Sequence, residues 1–278
     1  MKKLSVAFQG EPGAFSQLAV HKLLGNDVTI VPCQRFEDVF RSLTDKKVDT
    51  AVIPIENTLH GSVHENYDHL LQFRLDIVAE THVRIAHNLI APPGTSIKAV
   101  KRVFSHPVAL NQCLKFFSEN PQFERVPFYD TAGSVKMIME ERPEGAAAIA
   151  STSAAETYGG RILRRNVEDD ARNFTRFFQL RRPGKKRQQS DEVVWKTSLV
   201  FATRNIPGAL FRSLSALSLR DINLLKIESR PLRGKPWEYL FYLDFIGNTE
   251  EPKVQKALGH LAELADFIRV LGCYPKGA

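Results

Sequence analysis

The stretch "LSVAFQGEPGAFSQLAVHKLLG", residues 4–25, decides the fold class. Apolar residues alternate over 4–9, which predicts a strand, and helical spacing follows from residue 15 after a turn that contains Gly10 and Gly13. The same strand-then-helix order recurs through the first half, with strands predicted at 28–32, 48–57, 102–106, 125–130 and 145–151. Strands that alternate with helices predict an α/β fold with a mainly parallel sheet and helices on both faces.

A different order follows the basic stretch "RRPGKKRQQ" at 181–189, whose composition predicts an exposed linker. Beyond it the sequence predicts a strand, a helix, two strands, a helix and a strand, at 196–203, 208–220, 223–231, 238–246, 251–264 and 267–275. This βαββαβ order is the ferredoxin-like plan, so we expect a small second domain there.

Composition and charge argue against several classes of protein. The 278 residues are 43% apolar and 25% charged, as in soluble globular proteins, and no apolar run reaches the roughly 20 residues of a membrane helix. Cys33, Cys113 and Cys273 are too widely spaced for a disulfide framework or a metal cluster, so we predict no metal site and a reducing, cytoplasmic location. The net charge is +7, but the basic residues are not interleaved with aromatic residues, which argues against a nucleic-acid-binding protein. A positive net charge also suits a small anionic ligand.

Several predicted strands end in small or hydroxylic residues. The turns are "QGEPGAFS" (9–16), "ENTLHGS" (56–62), "SHP" (105–107), "DTAGS" (130–134) and "STS" (151–153). Each residue of this kind is also an ordinary helix N-cap, but five such turns at one edge of a sheet predict a pocket for a small polyanion. Nucleotide and hydrolase motifs of the GxGxxG, GxxxxGK[ST] and GxSxG kinds are absent, so we predict no cofactor.

The segment "NFTRFF", 173–178, sets polar residues among three phenylalanines. It is either an edge strand or one wall of a reactive pocket, since buried polar groups need partners. Period-two alternation places Arg176 opposite Thr175, so Arg176 either contacts a ligand or pairs with the acidic residues 168–170. Glu56, after an apolar strand, is either a general acid or a carboxylate bonded to a helix N-terminus.

These turns together resemble the prephenate dehydratase family, in "QGEPGAFS", "IPIENTLHGSV" (53–63), "SHPVALNQC" (105–113), "DTAGSV", "AAIASTSAAETYG" (147–159) and "NFTRF". The second half resembles ACT regulatory domains in "PGALFRSLSAL" (207–217) and "KIESRP" (226–231). The resemblance implies a monofunctional form with a two-lobed, periplasmic-binding-protein-like catalytic domain over 1–182 and an ACT domain over 195–278. Lobe one would span about 1–80 and 160–182, and lobe two about 81–159, with the active site between them.

The family's reaction converts prephenate to phenylpyruvate, carbon dioxide and water for phenylalanine biosynthesis, with feedback regulation by L-phenylalanine. The resemblance implies a catalytic role for Thr175 as a positioned donor to the departing hydroxyl, and Glu56 is the candidate source of the proton. It implies substrate contacts from Asn57, Ser105, Thr131, Ser151, Ser153, Asn173, Arg176 and Phe177. It implies effector contacts from Gly208, Ala209, Leu210, Glu228, Ser229 and Arg230. His106 is expected to hold the "SHP" turn.

Three alternatives stay open at the level of sequence. The substrate is prephenate or arogenate, which differ by a keto or an amino group. The second domain regulates the enzyme or only joins subunits, in a homodimer or a homotetramer. A non-catalytic protein that binds anions or amino acids in a two-lobed cleft is the alternative from a different class.

Overall fold

The computed structural model describes residues 3–184, 193–232, 234 and 238–277. Two of the segments outside the described residues are 185–192, in the predicted linker, and 235–237, in the turn between the predicted strands 223–231 and 238–246. The strands are β1 (Leu4–Gln9), β2 (Val28–Cys33), β3 (Thr50–Asn57), β4 (Gly61–Ser62), β5 (Asp76–Arg84), β6 (Asn88–Ala91), β7 (Arg102–Ser105), β8 (Glu124–Pro127), β9 (Ala146–Ala150), β10 (Arg161–Arg164), β11 (Phe174–Arg181), β12 (Trp195–Ala202), β13 (Leu224–Pro231), β14 (Tyr239–Ile246) and β15 (Phe267–Pro275). The α-helices are α1 (Phe15–Leu24), α2 (Phe36–Thr44), α3 (His64–Gln72), α4 (Pro107–Asn111), α5 (Leu114–Glu119), α6 (Thr131–Glu141), α7 (Thr152–Tyr158), α8 (Ala209–Ser218) and α9 (Pro252–Leu264).

The first compact unit consists of Met1–His69 and Thr81–Phe178, and most of the residues of two sheets lie in it. The first sheet has the order β2-β1-β3-β11-β5, and β1 runs parallel to both of its neighbours. The apolar residues that alternate along β1, including Val6 and Phe8, share a buried cluster with Val20 of α1. The predicted strand-turn-helix of 4–25 is therefore confirmed, and its apolar alternation places α1 on the sheet.

The second sheet has the order β10-β6-β9-β7-β8. β7 runs parallel to β8 and β9, whereas β6 runs antiparallel to β9 and β10. Successive residues of β9 fall into two different core clusters, Ala147 and Ile149 in one, Ala146 and Ala148 in the other. Such a strand is buried on both faces, as helices on both sides of a sheet require. The α/β prediction is confirmed.

The second compact unit consists of Leu70–Glu80 and Gln179–Ala278. Its four strands form an antiparallel sheet in the order β13-β14-β12-β15, and α8 and α9 share one apolar cluster with it. The order along the chain is βαββαβ, so the ferredoxin-like prediction is confirmed. The predicted boundary between the two domains, near 182–194, stays a prediction.

Residues 70–80 belong to this second unit for steric and electrostatic reasons. A Cβ atom added to Gly272 would lie 2.2 Å from the carbonyl oxygen of Ile77, so only glycine permits this approach. Lys196 Nζ lies 3.0 Å from Glu80 Oε2, and both side chains are buried. Removal of one partner destabilises the fold, because it weakens the compensation of the buried charge that remains.

The structure adds two observations on the described part of the chain. None of its helices is both long enough and apolar enough to cross a membrane. Within the same residues, no group of three or more His, Cys, Asp and Glu side chains could hold a metal ion.

Candidate active site

A cavity of about 390 Å³ lies in the first unit. Its lining includes residues that end or follow β1, β3, β7 and β8, together with part of β11. The carboxyl ends of strands are where open α/β sheets bind ligands, and this volume is in the usual range for a small-molecule site, roughly 300 to 1,000 Å³.

Asn57, at the end of β3, is bonded to the neighbouring strand β11. Its Oδ1 accepts hydrogen bonds from the backbone N–H groups of Leu59 and His60, at 3.0 and 2.9 Å, which fixes the orientation of the amide. Its Nδ2 therefore faces β11 and donates to Thr175 Oγ1 at 3.0 Å and to Asn173 Oδ1 at 2.7 Å. Since Thr175 Oγ1 accepts this bond, its hydroxyl hydrogen is directed elsewhere, and Thr175 lines the cavity.

A buried hydrogen-bond network continues from Asn173. Asn173 Nδ2 and His87 Nε2 lie 3.0 and 2.9 Å from Gln112 Oε1. Both are donors to that oxygen, so the Gln112 amide nitrogen is left to face a ligand, and Gln112 lines the cavity. Burial lowers the pKa of His87, which is 2% exposed, so its ring is neutral with the proton on Nε2.

His106 and Asp130 line the same cavity, and each caps a helix. His106 Nδ1 accepts from the backbone N–H of Val108 at 3.2 Å at the start of α4, so the neutral ring carries its proton on Nε2. Burial is the main cause that lowers the pKa of His106. Asp130 Oδ1 accepts from the N–H of Gly133 at 2.7 Å at the start of α6, and burial is the main cause that raises the pKa of Asp130.

Comparison with known proteins assigns this architecture to a family. A family model described as prephenate dehydratase matches residues 6–185. The chain belongs to the prephenate dehydratase family. It is 43% identical over 287 residues to arogenate dehydratase/prephenate dehydratase 1, chloroplastic, from Arabidopsis thaliana, in an alignment that covers 98% of this chain and 72% of that protein.

Two solved structures share the fold over nearly the whole chain. The prephenate dehydratase of Arthrobacter aurescens, in complex with L-Phe, has a TM-score of 0.90 and 30% identity, with 98% of this chain and 90% of that chain covered. GqqA, described as a novel type of quorum quenching acylase, has a TM-score of 0.89 and 35% identity, with 98% of each chain covered. As a prephenate dehydratase family member, the chain is a hydro-lyase of phenylalanine biosynthesis. Its predicted cytoplasmic location stays a prediction.

Four residues with predicted substrate or catalytic roles line the cavity of this family member, namely Asn57, Thr131, Thr175 and Phe177. Asn173 is fully buried and connects to the cavity through its bonds to the side chains of Asn57 and Gln112. One face of the segment "NFTRFF", the face with Thr175 and Phe177, therefore forms a wall of the cavity.

Three predicted serines lie elsewhere. Ser105 is buried and donates to a backbone carbonyl of β9 at 2.6 Å. Ser151 caps α7 by accepting from the N–H of Ala154 at 2.9 Å, and it donates to the carbonyl of Gly13 at 2.7 Å. Neither they nor Ser153 line the cavity. Substrate contact by these serines stays a prediction that the lining does not support.

Glu56 is next to Asn57 in β3, and Arg176 is next to Thr175 in β11, so each lies on the opposite face of its strand from that neighbour. Neither Glu56 nor Arg176 lines the cavity. Arg176 Nη1 lies 3.4 Å from Glu56 Oε1, and its guanidinium lies 4.6 Å from the ring centroid of Phe178. Residues 168–170, the alternative partners of Arg176 in the sequence analysis, bond to Arg84, to the first N–H groups of α5 and to Arg172. Successive side chains of a strand point to opposite faces, which explains why Glu56 and Arg176 do not line the cavity. In this position Glu56 does not face a ligand in the cavity, as a general acid would have to.

The second unit contains a cavity of about 220 Å³ at the start of α8. Three of the predicted effector residues, Gly208, Ala209 and Leu210, line it together with residues 203–206 and two aromatic side chains of β14. The other three, Glu228, Ser229 and Arg230, lie in β13 outside this lining. Effector contact by all six stays a prediction.

Proposed function

We propose that this member of the family removes carbon dioxide and water from prephenate to give phenylpyruvate, and that Thr175 is the hydrogen-bond donor to the departing hydroxyl. The observation that carries the proposal is the polarity of the Asn57–Thr175 bond. Asn57 donates to Thr175 Oγ1, so the hydroxyl hydrogen is free to point into the cavity.

The chemistry requires such a donor. The bond between the ring and its carboxylate breaks, its electron pair enters the ring, and the ring C–O bond opposite breaks as the aromatic system forms. Negative charge develops on the departing oxygen, which leaves as hydroxide and is protonated to water. A threonine hydroxyl is too weak an acid to transfer a proton unaided, but as a fixed donor it stabilises that developing charge.

Other cavity groups fit the two carboxylates of the substrate. The Gln112 amide nitrogen is directed away from its buried partners, and the neutral His106 presents Nε2–H. Thr131 starts α6, where backbone N–H groups and the helix dipole favour an anion. We propose that these donors orient prephenate with its hydroxyl toward Thr175.

Amide hydrolysis is the competing function, since GqqA is described as an acylase. A threonine nucleophile needs a base that accepts its proton. Among the residues that the structure describes, none accepts a hydrogen bond from Thr175 Oγ1, and its contact with Asn57 supplies a donor instead. The geometry therefore favours dehydration.

The test replaces the Thr175 hydroxyl. Thr175→Val keeps the shape and removes the donor, and loss of one such donor typically lowers kcat about 10²- to 10³-fold. Thr175→Ser keeps the donor and should retain measurable turnover. Thr44→Val removes a hydroxyl that bonds to the Phe40 carbonyl in α2, and it serves as the matched control. If the Thr175→Val enzyme has the same activity as the control, Thr175 is not the donor to the departing hydroxyl.

For the second unit, we propose an ACT-type regulatory role, with L-phenylalanine bound near Gly208, Ala209 and Leu210 and with the enzyme assembled as a homodimer or homotetramer. The cavity at the start of α8 supports the position of the effector. The Arthrobacter aurescens structure supports its identity, since that protein was solved with L-Phe. Inhibition requires that the effector bind one state of the enzyme more tightly than another.

A further inference from the structure

Three side-chain amides are held in one orientation by a series of hydrogen bonds that begins at the backbone. The oxygen of Asn57 accepts from two backbone N–H groups, so its nitrogen must donate, and it does so to Asn173 Oδ1 at 2.7 Å. Asn173 Nδ2 in turn donates to Gln112 Oε1 at 3.0 Å. Each amide therefore has one hydrogen-bonded orientation, and the Gln112 nitrogen is the donor at the end of the series.

His87 supplies a second donor to the same Gln112 oxygen. Its Nε2 lies 2.9 Å from Gln112 Oε1, and both residues are buried and line the cavity. The backbone of His87 is itself fixed, because its N–H donates to Glu168 Oε2 at 2.9 Å and its carbonyl accepts from the Val167 N–H at 2.8 Å. The ring also packs edge-on against Phe15, with 5.6 Å between the ring centroids. The donor thus has little freedom to move away from Gln112.

Packing alone does not account for an imidazole at this position. His87 Nδ1 is buried and, among the residues that the structure describes, has no hydrogen-bond partner. A buried ring nitrogen without a partner destabilises the fold, whereas an apolar ring would carry no such penalty. An apolar ring would also leave the Gln112 oxygen with one donor, since Asn173 still bonds to it. What an apolar ring cannot supply is the second N–H to Gln112.

We propose that His87 is a positioning residue for the dehydration, and that its Nε2–H holds the Gln112 amide with the nitrogen toward a carboxylate of the substrate. This rests on the function proposed for the same cavity. A Gln112 amide turned the other way would place its NH2 group against two donors, from His87 and Asn173, and would lose both hydrogen bonds. Without His87 only one bond opposes that turn, so the Gln112 nitrogen spends more time away from the substrate.

The experiment measures kcat/KM for prephenate in the full chain and in its variants. His87→Phe removes the donor and keeps an aromatic ring, and we expect kcat/KM to fall about three- to tenfold, as for the loss of one neutral hydrogen bond. His87→Gln restores an N–H donor and should recover most of this loss. His260→Phe removes an imidazole from α9, in the second unit, and is the matched control.

A double-mutant cycle with Gln112→Leu separates positioning from packing. If His87 acts through Gln112, His87→Phe lowers kcat/KM no further once the amide is absent. Equal fold losses with and without Gln112→Leu, or a folded His87→Phe enzyme that matches the control, overturn the role of His87 and leave the proposed function intact. A His87→Gln enzyme as slow as His87→Phe overturns that role as well. A parent enzyme that converts no prephenate overturns the proposed function itself, and this inference with it. Should His87→Phe fail to fold, His87→Leu replaces it in every comparison.

Discussion

Asn57→Asp is the substitution that most directly reverses the hydrogen-bond polarity of the site. The oxygen that accepts from the N–H groups of Leu59 and His60 is retained, so the side chain keeps its orientation. The donor that lies 3.0 Å from Thr175 Oγ1 and 2.7 Å from Asn173 Oδ1 becomes a second, negatively charged acceptor. The Thr175 hydroxyl then donates to that carboxylate instead of to the substrate.

The magnitude follows from two contacts. Withdrawal of one transition-state donor corresponds to about 10² to 10³ in kcat. Two acceptor oxygens left facing each other beside Asn173 should lower the free energy of unfolding by about 1 to 3 kcal/mol. Steady-state rates of phenylpyruvate formation, followed by ultraviolet absorbance, give the first quantity, and urea denaturation gives the second.

A double-mutant cycle tests whether Asn57 acts through Thr175. Combining Asn57→Asp with Thr175→Val should lower kcat no further than Thr175→Val alone, because the same donor has already been removed. Asn26→Asp, at an exposed position after α1, controls for the added charge. Full additivity of the two losses, or a kcat within about threefold of the parent, would refute the reasoning.

Two further predictions concern pH and regulation. His87 is buried and neutral, and its pKa is lowered, so the unfolded chain binds a proton below about pH 6.5 that the folded chain does not. The free energy of unfolding should therefore fall on acidification, by up to about 1.4 kcal/mol per pH unit from this group. Urea denaturation at several pH values should show a smaller slope for His87→Gln than for the parent, and an unchanged slope would contradict the prediction. Ala209→Leu should fill part of the 220 Å³ cavity and weaken inhibition by L-phenylalanine without changing kcat in its absence; an unchanged inhibition constant would contradict the effector site.

Most of the fold could be predicted because local pattern and tertiary structure agree. Alternation in β1 and helical spacing in α1 each marked a face that the structure buries. β10 was not predicted, since its four residues, "RILR", are too short to show a period. The grouping of residues 70–80 with the second unit was also missed, because it depends on Gly272 and Glu80, whose partners lie far away in sequence.

The site was predictable where a residue's role depends on its own strand. Period-two alternation correctly predicted that the side chains of Thr175 and Arg176 lie on opposite faces of β11. It could not identify Glu56 as the partner of Arg176, 120 residues away. Gln112 and His87 gave no local signal, since their roles come from bonds between distant segments of the chain. His106 and Asp130 lay in turns that the sequence marked, but their capping bonds alone did not predict that they face a ligand.

The measurement that tests the central claim most directly is turnover of prephenate by the purified full chain, beside its Thr175→Val variant. Phenylpyruvate absorbance reports the reaction, and arogenate with detection of phenylalanine is run in parallel. We expect turnover by the wild-type chain and a loss of about 10²- to 10³-fold in the variant. A wild-type chain that converts neither substrate, or a folded variant that matches it, would contradict the account.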